Sequence, residues 1–373
     1  MKGGQASFRC LILINMKRNI LKHFLFINLI SISVSALAQA PNGYYNSIDG
    51  KQKIALKTEL HNIIKGHTPL SYSALWTAFT DTDKKPNGKV WDMYSDVPES
   101  TPPYEYTFIT DQCGNYNAEG VCYNREHSFP KSWFNDASPM YTDLFHLYPT
   151  DGYVNGRRGN HPFGEVGISS WTSQNGSKLG KNTTNGYTGT VFEPIDAYKG
   201  DFARSYFYMA TRYEDKIANW TSDMLSKDKY PAYKQWAVDL LLKWHREDPV
   251  STKEINRNNV IYTSYQYNRN PFIDYPELVE YIWGNKTNDV YHLNELGTQI
   301  EEQAKSREIY VYSLDGNIIV ETDRQIRHIQ IYDLFGRTVV SSKGDNVLNL
   351  FPVAESQFYI VKADTDIFKV YVK

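Results

Sequence analysis

Two short stretches of the chain concentrate side chains able to do chemistry: Tyr123–Phe134 (YNREHSFPKSWF) and Tyr141–Glu165 (YTDLFHLYPTDGYVNGRRGNHPFGE). In the first, Glu126 and His127 are adjacent. On a strand, neighbouring side chains leave opposite faces, so the two would divide the work. A carboxylate suits a hard cation such as Mg²⁺, and a neutral imidazole near its usual pKa suits taking a proton from water. The bland alternative for His127 is a hydrogen bonder inside the core. In the second stretch, Pro149 disfavours helix ahead of it, and Thr150 or Asp151 offers an N-cap. Asp151, Asn155 and Arg158 then fall at i, i+4 and i+7 and share a face. That face sets an amide oxygen beside a guanidinium, an arrangement suited to a hard cation and a phosphate held together. The alternative is a strand ending in a turn at Asn155-Gly156, with Arg158 in solvent.

The elements that would position these residues are mainly helical. Ile54, Leu56, Leu60, Ile63 and Ile64 recur at helical spacing, followed by loop. Residues 84–104, rich in Pro, Gly and Asp, read as loop. Gly200–Tyr213 keeps Phe202, Tyr206 and Met209 on one stripe, and Lys234–Arg246 does the same with Trp236, Leu240, Leu241 and Trp244. Residues 276–283 make a further short helix with Pro276 at its first position. The glycine-rich Asn175–Gly189 reads as a surface loop that could lie along a substrate. From about residue 307 the texture becomes short β-branched and aromatic runs separated by turn signals such as Asp315-Gly316, which predicts a small all-β sandwich.

Length and composition bound what these elements can serve. The 373 residues are 41% hydrophobic and 22% charged, with 29 tyrosines, which excludes a coiled coil, a collagen-like repeat and a largely disordered chain. Residues 1–40 hold five of the 40 lysines and arginines and no acid, leaving 35 basic against 42 acidic residues, a formal charge of −7. A polyanion binder working by bulk charge would be basic, so any nucleic-acid contact must be local. Lys17, Arg18 and Lys22 precede the apolar run Phe24–Val34 and then Ala36-Leu37-Ala38-Gln39-Ala40. This is the pattern of a cleaved secretory signal, and Met16 marks an alternative start. The run is too short and too interrupted for a membrane span, so none is expected in the mature protein. In an oxidising compartment Cys113 and Cys122 would pair as a disulfide; a zinc site is the rival, with no second Cys pair to complete it.

Taken together, the two polar stretches resemble the bacterial endonuclease I family, secreted or periplasmic nucleases with a ββα-metal, or His-Me finger, active site. The matching residues are Asn124-Arg125-Glu126-His127 with Pro130 and Trp133, Asp143-Leu144, Leu147–Asp151 and Val154–Asn160. Trp244-His245, Asp248-Pro249-Val250, Glu254, Arg257-Asn258 and Asn268–Asp274 extend the resemblance over roughly residues 50–285. It implies that His127 is the general base and that Glu126 and Asn155 hold one Mg²⁺, with Mn²⁺ or Ca²⁺ as alternatives. Products with 5′-phosphate ends follow from the same pattern. The phosphate-binding Arg that some members carry between the two motifs has no counterpart from Trp133 to Asp143. Arg158 is therefore expected to meet transition-state charge, with Arg157 or Lys131 as substitutes. His146 and Asp151 are expected to support the site. Arg269, within Asn268-Arg269-Asn270-Pro271, is expected either to contact the substrate backbone or to belong to a buried network.

The expected fold class is α+β: a leader over 1–40, a mainly helical catalytic domain around a ββα core over 41–306, and a β-sandwich over 307–373. That sandwich resembles the C-terminal sorting domain of the type IX secretion system, which implies the secretion machinery as a partner. A carbohydrate- or surface-binding module is the alternative. The expected function is a monomeric, Mg²⁺-dependent, largely sequence-nonspecific endonuclease on DNA, with RNA as a further substrate. It would be exported through the periplasm and secreted or held at the cell surface. An extracellular ribonuclease on the same fold, or a non-catalytic surface binding protein, are the alternatives.

Overall fold

A computed structural model of the chain describes residues 40–293, 309–314, 317–322, 326, 328–333, 336–343, 348–353, 357–364 and 366–372. The leader expected over 1–40 lies outside them except for Ala40, as does the expected junction at 306–307. The first α-helix among the described residues is α1 (Lys53–Ile64). Leu56, Leu60 and Ile64, four residues apart, are fully buried, whereas Ile54 faces solvent. Helix α2 (Ala74–Thr82) occupies sequence expected to be loop. Its Leu75, Ala78, Phe79 and Thr82 point inward at i, i+3, i+4 and i+7, a periodicity too short to stand out beside its polar neighbours.

Strands β1 (Tyr123–His127) and β2 (Leu147–Asp151) form a two-stranded antiparallel sheet in which Tyr123 faces Asp151 and His127 faces Leu147. Helix α3 (Gly152–Arg158) follows without a loop. Asp151 is both the last residue of β2 and the N-cap of α3, its Oδ1 accepting the Val154 N–H at 2.8 Å. A one-residue junction gives the helix little freedom against the sheet. A second sheet, β3 (Val166–Thr172), β4 (Lys178–Asn182) and β5 (Thr190–Glu193), is an antiparallel meander. The segment Asn175–Gly189, expected to be loop throughout, therefore carries β4.

Helix α4 (Lys199–Arg212) runs through the centre, buried at every residue rather than along one stripe. It is wrapped by α1, by α5 (Gln235–Glu247) and by the segments that follow, so its polar side chains need partners inside the protein. Tyr148 and Ser205 share a hydrogen bond at 2.7 Å, Tyr208 and Tyr213 both donate to Asp143, and Arg204 is bidentate on Glu254. Glu254 in turn closes a capping box with Ser251 at the start of α6 (Thr252–Val260). Short helices α7 (Pro271–Asp274) and α8 (Leu278–Ile282) complete this unit, with Pro276 ahead of α8 rather than inside it. Its core runs from Tyr45 to Tyr291.

The C-terminal strands are β6 (Ile309–Leu314), β7 (Asn317–Thr322), β8 (Ile329–Tyr332), β9 (Thr338–Ser342), β10 (Leu348–Pro352), β11 (Phe358–Ala363) and β12 (Asp366–Tyr371). They form two antiparallel sheets, ordered β10-β7-β6 and β12-β11-β8-β9. Ile309, Ile318 and Val320 of one share a core with Ile329, Ile331, Tyr359, Val361 and Val370 of the other, which is a two-layer sandwich. The α+β class is thus what the structure has.

The disulfide Cys113–Cys122 closes the loop leading into β1. Tyr116 inside that loop lies against Gly152 and Gly156, and a Cβ at Gly152 would meet its ring at 2.5 Å. The loop therefore braces the sheet and α3 together. The paired substitution Cys113→Ser, Cys122→Ser is expected to lower stability by about 2–3 kcal/mol through loop-closure entropy. A urea midpoint shift measures this, and dithiothreitol on the unaltered protein should reproduce it.

Candidate active site

Asn124 and Glu126 are two residues apart on β1 and therefore share its face, the one that α3 covers. Two rungs join strand to helix. Asn155 Nδ2 donates to Asn124 Oδ1 at 2.7 Å, and Arg158 Nη1 donates to Glu126 Oε1 at 3.0 Å. Arg158 is 0% exposed and reaches further, to the backbone oxygens of His127 at 2.9 Å and Ser128 at 2.5 Å. Tyr206 of the central helix α4 accepts from Arg158 at 3.3 Å and donates to the same Ser128 oxygen at 2.9 Å. A guanidinium with no exposed surface cannot extend to a substrate in solvent. Arg158 is thus a positioning residue for Glu126 in this conformation, a different task from the direct contact with transition-state charge expected of it.

Glu126 is 3% exposed. Tyr94 and Arg158 both donate to its Oε1, at 2.9 and 3.0 Å, so neither bond engages Oε2. Burial raises its pKa, while Arg158 and the Tyr94 hydroxyl pull it down. The donation from Asn155 to Asn124 uses the Asn155 amide nitrogen and leaves Oδ1 outside that bond. A carboxylate oxygen and an amide oxygen on one strand–helix face are hard donors of the kind Mg²⁺ takes together with waters and phosphate oxygens. Among the described residues no three His, Cys, Asp or Glu side chains cluster as a closed metal cage. The donor set thus fits an ion that completes its shell from substrate and solvent.

His127 leaves β1 on the opposite face. Its Nε2 lies 3.0 Å from the Tyr141 carbonyl oxygen. A carbonyl only accepts, so Nε2 carries the proton and the lone pair of the neutral ring is on Nδ1. The ring is stacked 5.2 Å from Tyr141 and 6.3 Å from Tyr72, with His146 at 5.6 Å. Burial, helped by His146, drives the His127 pKa down to about 3, against the Tyr141 hydrogen bond. The ring is therefore held neutral, but as a weaker base than the imidazole near its usual pKa expected from the sequence, because burial disfavours its charged form. His146 is itself buried behind it, donating to the Met140 oxygen at 2.7 Å.

The other expected site residues fall in three places. Asp151 is buried as the α3 N-cap, also accepting from Tyr106 at 2.5 Å and Gly120 at 2.8 Å. Its charge adds to burial in raising neighbouring Asp92 to about 7. Arg157 and Lys131 are exposed: Arg157 lies 5.3 Å over Trp171, and Lys131 pairs with Asp136 beside the Tyr141 ring. Arg269 is 1% exposed, and Asp274 and Asn259 occupy its guanidinium. It belongs to the buried network, not to a substrate surface. Asn124, Tyr94, Tyr141 and Tyr72 were not expected at the site. Only Asn124 carried a signal, its two-residue spacing from Glu126.

Residues 53–277 match the endonuclease I family. The extracellular ribonuclease of Bacillus amyloliquefaciens is 38% identical over 256 residues, covering 64% of this chain and 78% of that protein. The extracellular ribonuclease of Bacillus subtilis strain 168 is 36% identical over 273 residues, covering 69% and 84%. Endonuclease-1 of Buchnera aphidicola subsp. Baizongia pistaciae is 30% identical over 132 residues, covering 35% and 46%.

Two outcomes follow from the buried charges. Arg158→Met strands the Glu126 carboxylate and is expected to cost about 3–5 kcal/mol of stability, read by urea denaturation, with nuclease activity lost as well. His245, donating to the Pro276 oxygen, is driven down to about 4 by burial and then by Arg204. The unfolded chain binds that proton near pH 6.5 and the folded chain does not, so stability is lost as pH falls from about 6.5 toward 4. Between pH 7 and 5, His245→Gln should remove about 2 kcal/mol of that loss; denaturation midpoints at the two pH values measure it.

Proposed function

Because the chain belongs to the endonuclease I family, we propose that it is a secreted, metal-assisted endonuclease that hydrolyses phosphodiester bonds of DNA and RNA with little sequence preference, acting as a monomer. The observation that carries this reading is the double rung between β1 and α3, which sets the Glu126 carboxylate and the Asn155 amide on one face. These two residues would hold Mg²⁺, with Mn²⁺ or Ca²⁺ as alternatives. When bound, the ion supplies positive charge for the phosphate oxygens and the departing 3′-oxygen.

His127 Nδ1 takes the proton of the attacking water, and water oxygen bonds to phosphorus as the 3′-oxygen leaves, giving a 5′-phosphate. The Tyr141 carbonyl keeps the proton on Nε2, so the ring presents the correct nitrogen without reorienting. Tyr72 and Tyr141 hold its plane. Arg158 fixes the Glu126 carboxylate, and Arg157 and Lys131 are the exposed cations for the substrate backbone. RNA as the main substrate is the second reading, favoured by the names of the two Bacillus relatives. Those names, the secretory pattern of residues 17–40 and the Cys113–Cys122 disulfide support export. The β-sandwich character of the C-terminal strands supports a sorting module that the secretion machinery recognises.

The full chain is expected to nick supercoiled plasmid and degrade RNA in Mg²⁺ and to do neither in EDTA. His127→Ala should lower the rate by about 10²–10⁴-fold in a chain that remains folded at the assay temperature, checked by its melting temperature. Cleavage that survives EDTA, or that His127→Ala leaves intact, contradicts the reading. Relative rates on duplex DNA and RNA decide between the two substrates.

A further inference from the structure

The strand that carries Glu126 and His127 also carries Arg125, and none of the roles above uses it. Arg125 shares the His127 face of β1, two residues away, a step of roughly 7 Å. Its guanidinium lies 3.6 Å over the Tyr72 ring and 4.3 Å over the Trp76 ring. Nη1 donates to the Tyr72 backbone oxygen at 2.8 Å, which uses one of five N–H donors. Most buried or half-buried cations of the helical unit meet a carboxylate: Arg158 with Glu126, Arg204 with Glu254, Lys253 with Asp201, Arg257 with Asp83 and Arg269 with Asp274. Half-buried Arg125 has no such ion pair among the described residues, and the groups that face it are Tyr72, Tyr141 and Trp76.

This cation lines an open cleft of about 400 Å³ with Tyr72, Trp76, Gln112, Gly114 and Asn124. Asn124 is the residue that orients Asn155, so the cleft adjoins the candidate active site. A guanidinium lying over two rings, with donors beyond its bonds to Tyr72 and no acid beside it, is prepared for a phosphate. We propose that Arg125 and this cleft form a subsite for a phosphate flanking the scissile one. The inference rests on the nuclease reading for the identity of the ligand. A strand crossing the His127 end of β1 would pass its neighbouring phosphodiester into the cleft, whose wall Gln112 and Asn124 share with Arg125. The Tyr72 ring that steadies His127 also steadies Arg125, so one side chain ties base and subsite together.

The test is binding, which needs no turnover. A fluorescein-labelled 20-nucleotide single strand of DNA is titrated with the full chain in EDTA between 50 and 200 mM salt, followed by anisotropy. Arg125→Gln is expected to weaken binding about 5–20-fold at low salt and to make the slope of log K against log salt shallower by about 0.7. Arg125→Lys keeps the charge without the planar stack and should restore the slope while recovering only part of the affinity. Unchanged affinity and slope in Arg125→Gln overturn the subsite. Weaker binding with an unchanged slope overturns it too, since that marks a structural effect. Should Arg125→Gln melt early, the contrast of Arg125→Lys with the unaltered chain carries the decision: reduced affinity with an unchanged slope supports the subsite, and an unchanged affinity or a shallower slope overturns it. Failure of the nuclease reading has a separate signature, a chain that binds the strand and cleaves nothing in Mg²⁺.

Discussion

The Arg158 guanidinium, sealed from solvent, holds together the last turn of one short helix and the last two residues of one short strand. It donates to the Glu126 carboxylate and to the carbonyls of His127 and Ser128. Sequestering such a cation is costly where donors lack acceptors, and Nε has no partner among the described residues. The terminal nitrogens are spent on two acceptors of a strand only five residues long, on Ser128 just beyond it and on Tyr206. The helix can therefore take one register against that strand. Once Arg158 is seated on Glu126, Asn155 one turn earlier is seated beside Asn124. The direct passage from β2 into α3 through Asp151 removes the slack that a longer connection would have given. Packing from behind comes from α4, whose Tyr206 touches both Arg158 and the Ser128 carbonyl.

Charge is distributed in a way the net value hides. The helical unit buries several ion pairs around α4 and α6, among them Arg204 with Glu254, Lys253 with Asp201 and Arg257 with Asp83. Residues that read as potential substrate contacts, Arg269 above all, are committed to this interior. Such pairs add little net stability compared with apolar packing, but removing one partner is severe, so they enforce a single arrangement. Among the described residues, the cations proposed to meet substrate are Arg125, Arg157 and Lys131, the last paired with Asp136. A nuclease with an acidic chain can then contact a polyanion only along a narrow track, where each phosphate contact carries a large share of the binding.

Parts of this molecule were legible from residues alone. The i, i+4, i+7 spacing of Asp151, Asn155 and Arg158 offered a helix capped at Thr150 or Asp151 against a strand ending in a turn, and the structure has the helix with Asp151 as its cap. Periodicity gave α1, α4 and α5. It missed α2 and α6, which are only nine residues each, α6 being mostly polar as well, although the Ser251-to-Glu254 spacing was a capping-box signal. It also missed β4, because Gly180 and Lys181 look like loop. There Gly180 is needed for contact: a Cβ would lie 2.3 Å from the Ile168 oxygen of the neighbouring strand.

Local sequence determined which chemistry was on offer, since a carboxylate, an imidazole and an amide keep their donor and acceptor properties wherever they lie. It also offered a helix start at Thr150 or Asp151, a matter of neighbouring residues. The tertiary structure alone decided which cations face solvent and which are spent. Arg158, Arg269 and Arg125 are the same side chain in sequence, yet one is locked on Glu126, one on Asp274, and one lies over two rings, bonded to Tyr72 and to no carboxylate among the described residues. The rings come from residues 72 and 76, about fifty positions upstream, and Asp274 comes from a helix turn beyond Arg269. Burial and pairing depend on the packing of distant segments, and the packing of Tyr72, Trp76 and α4 against β1 is not encoded in the motif itself.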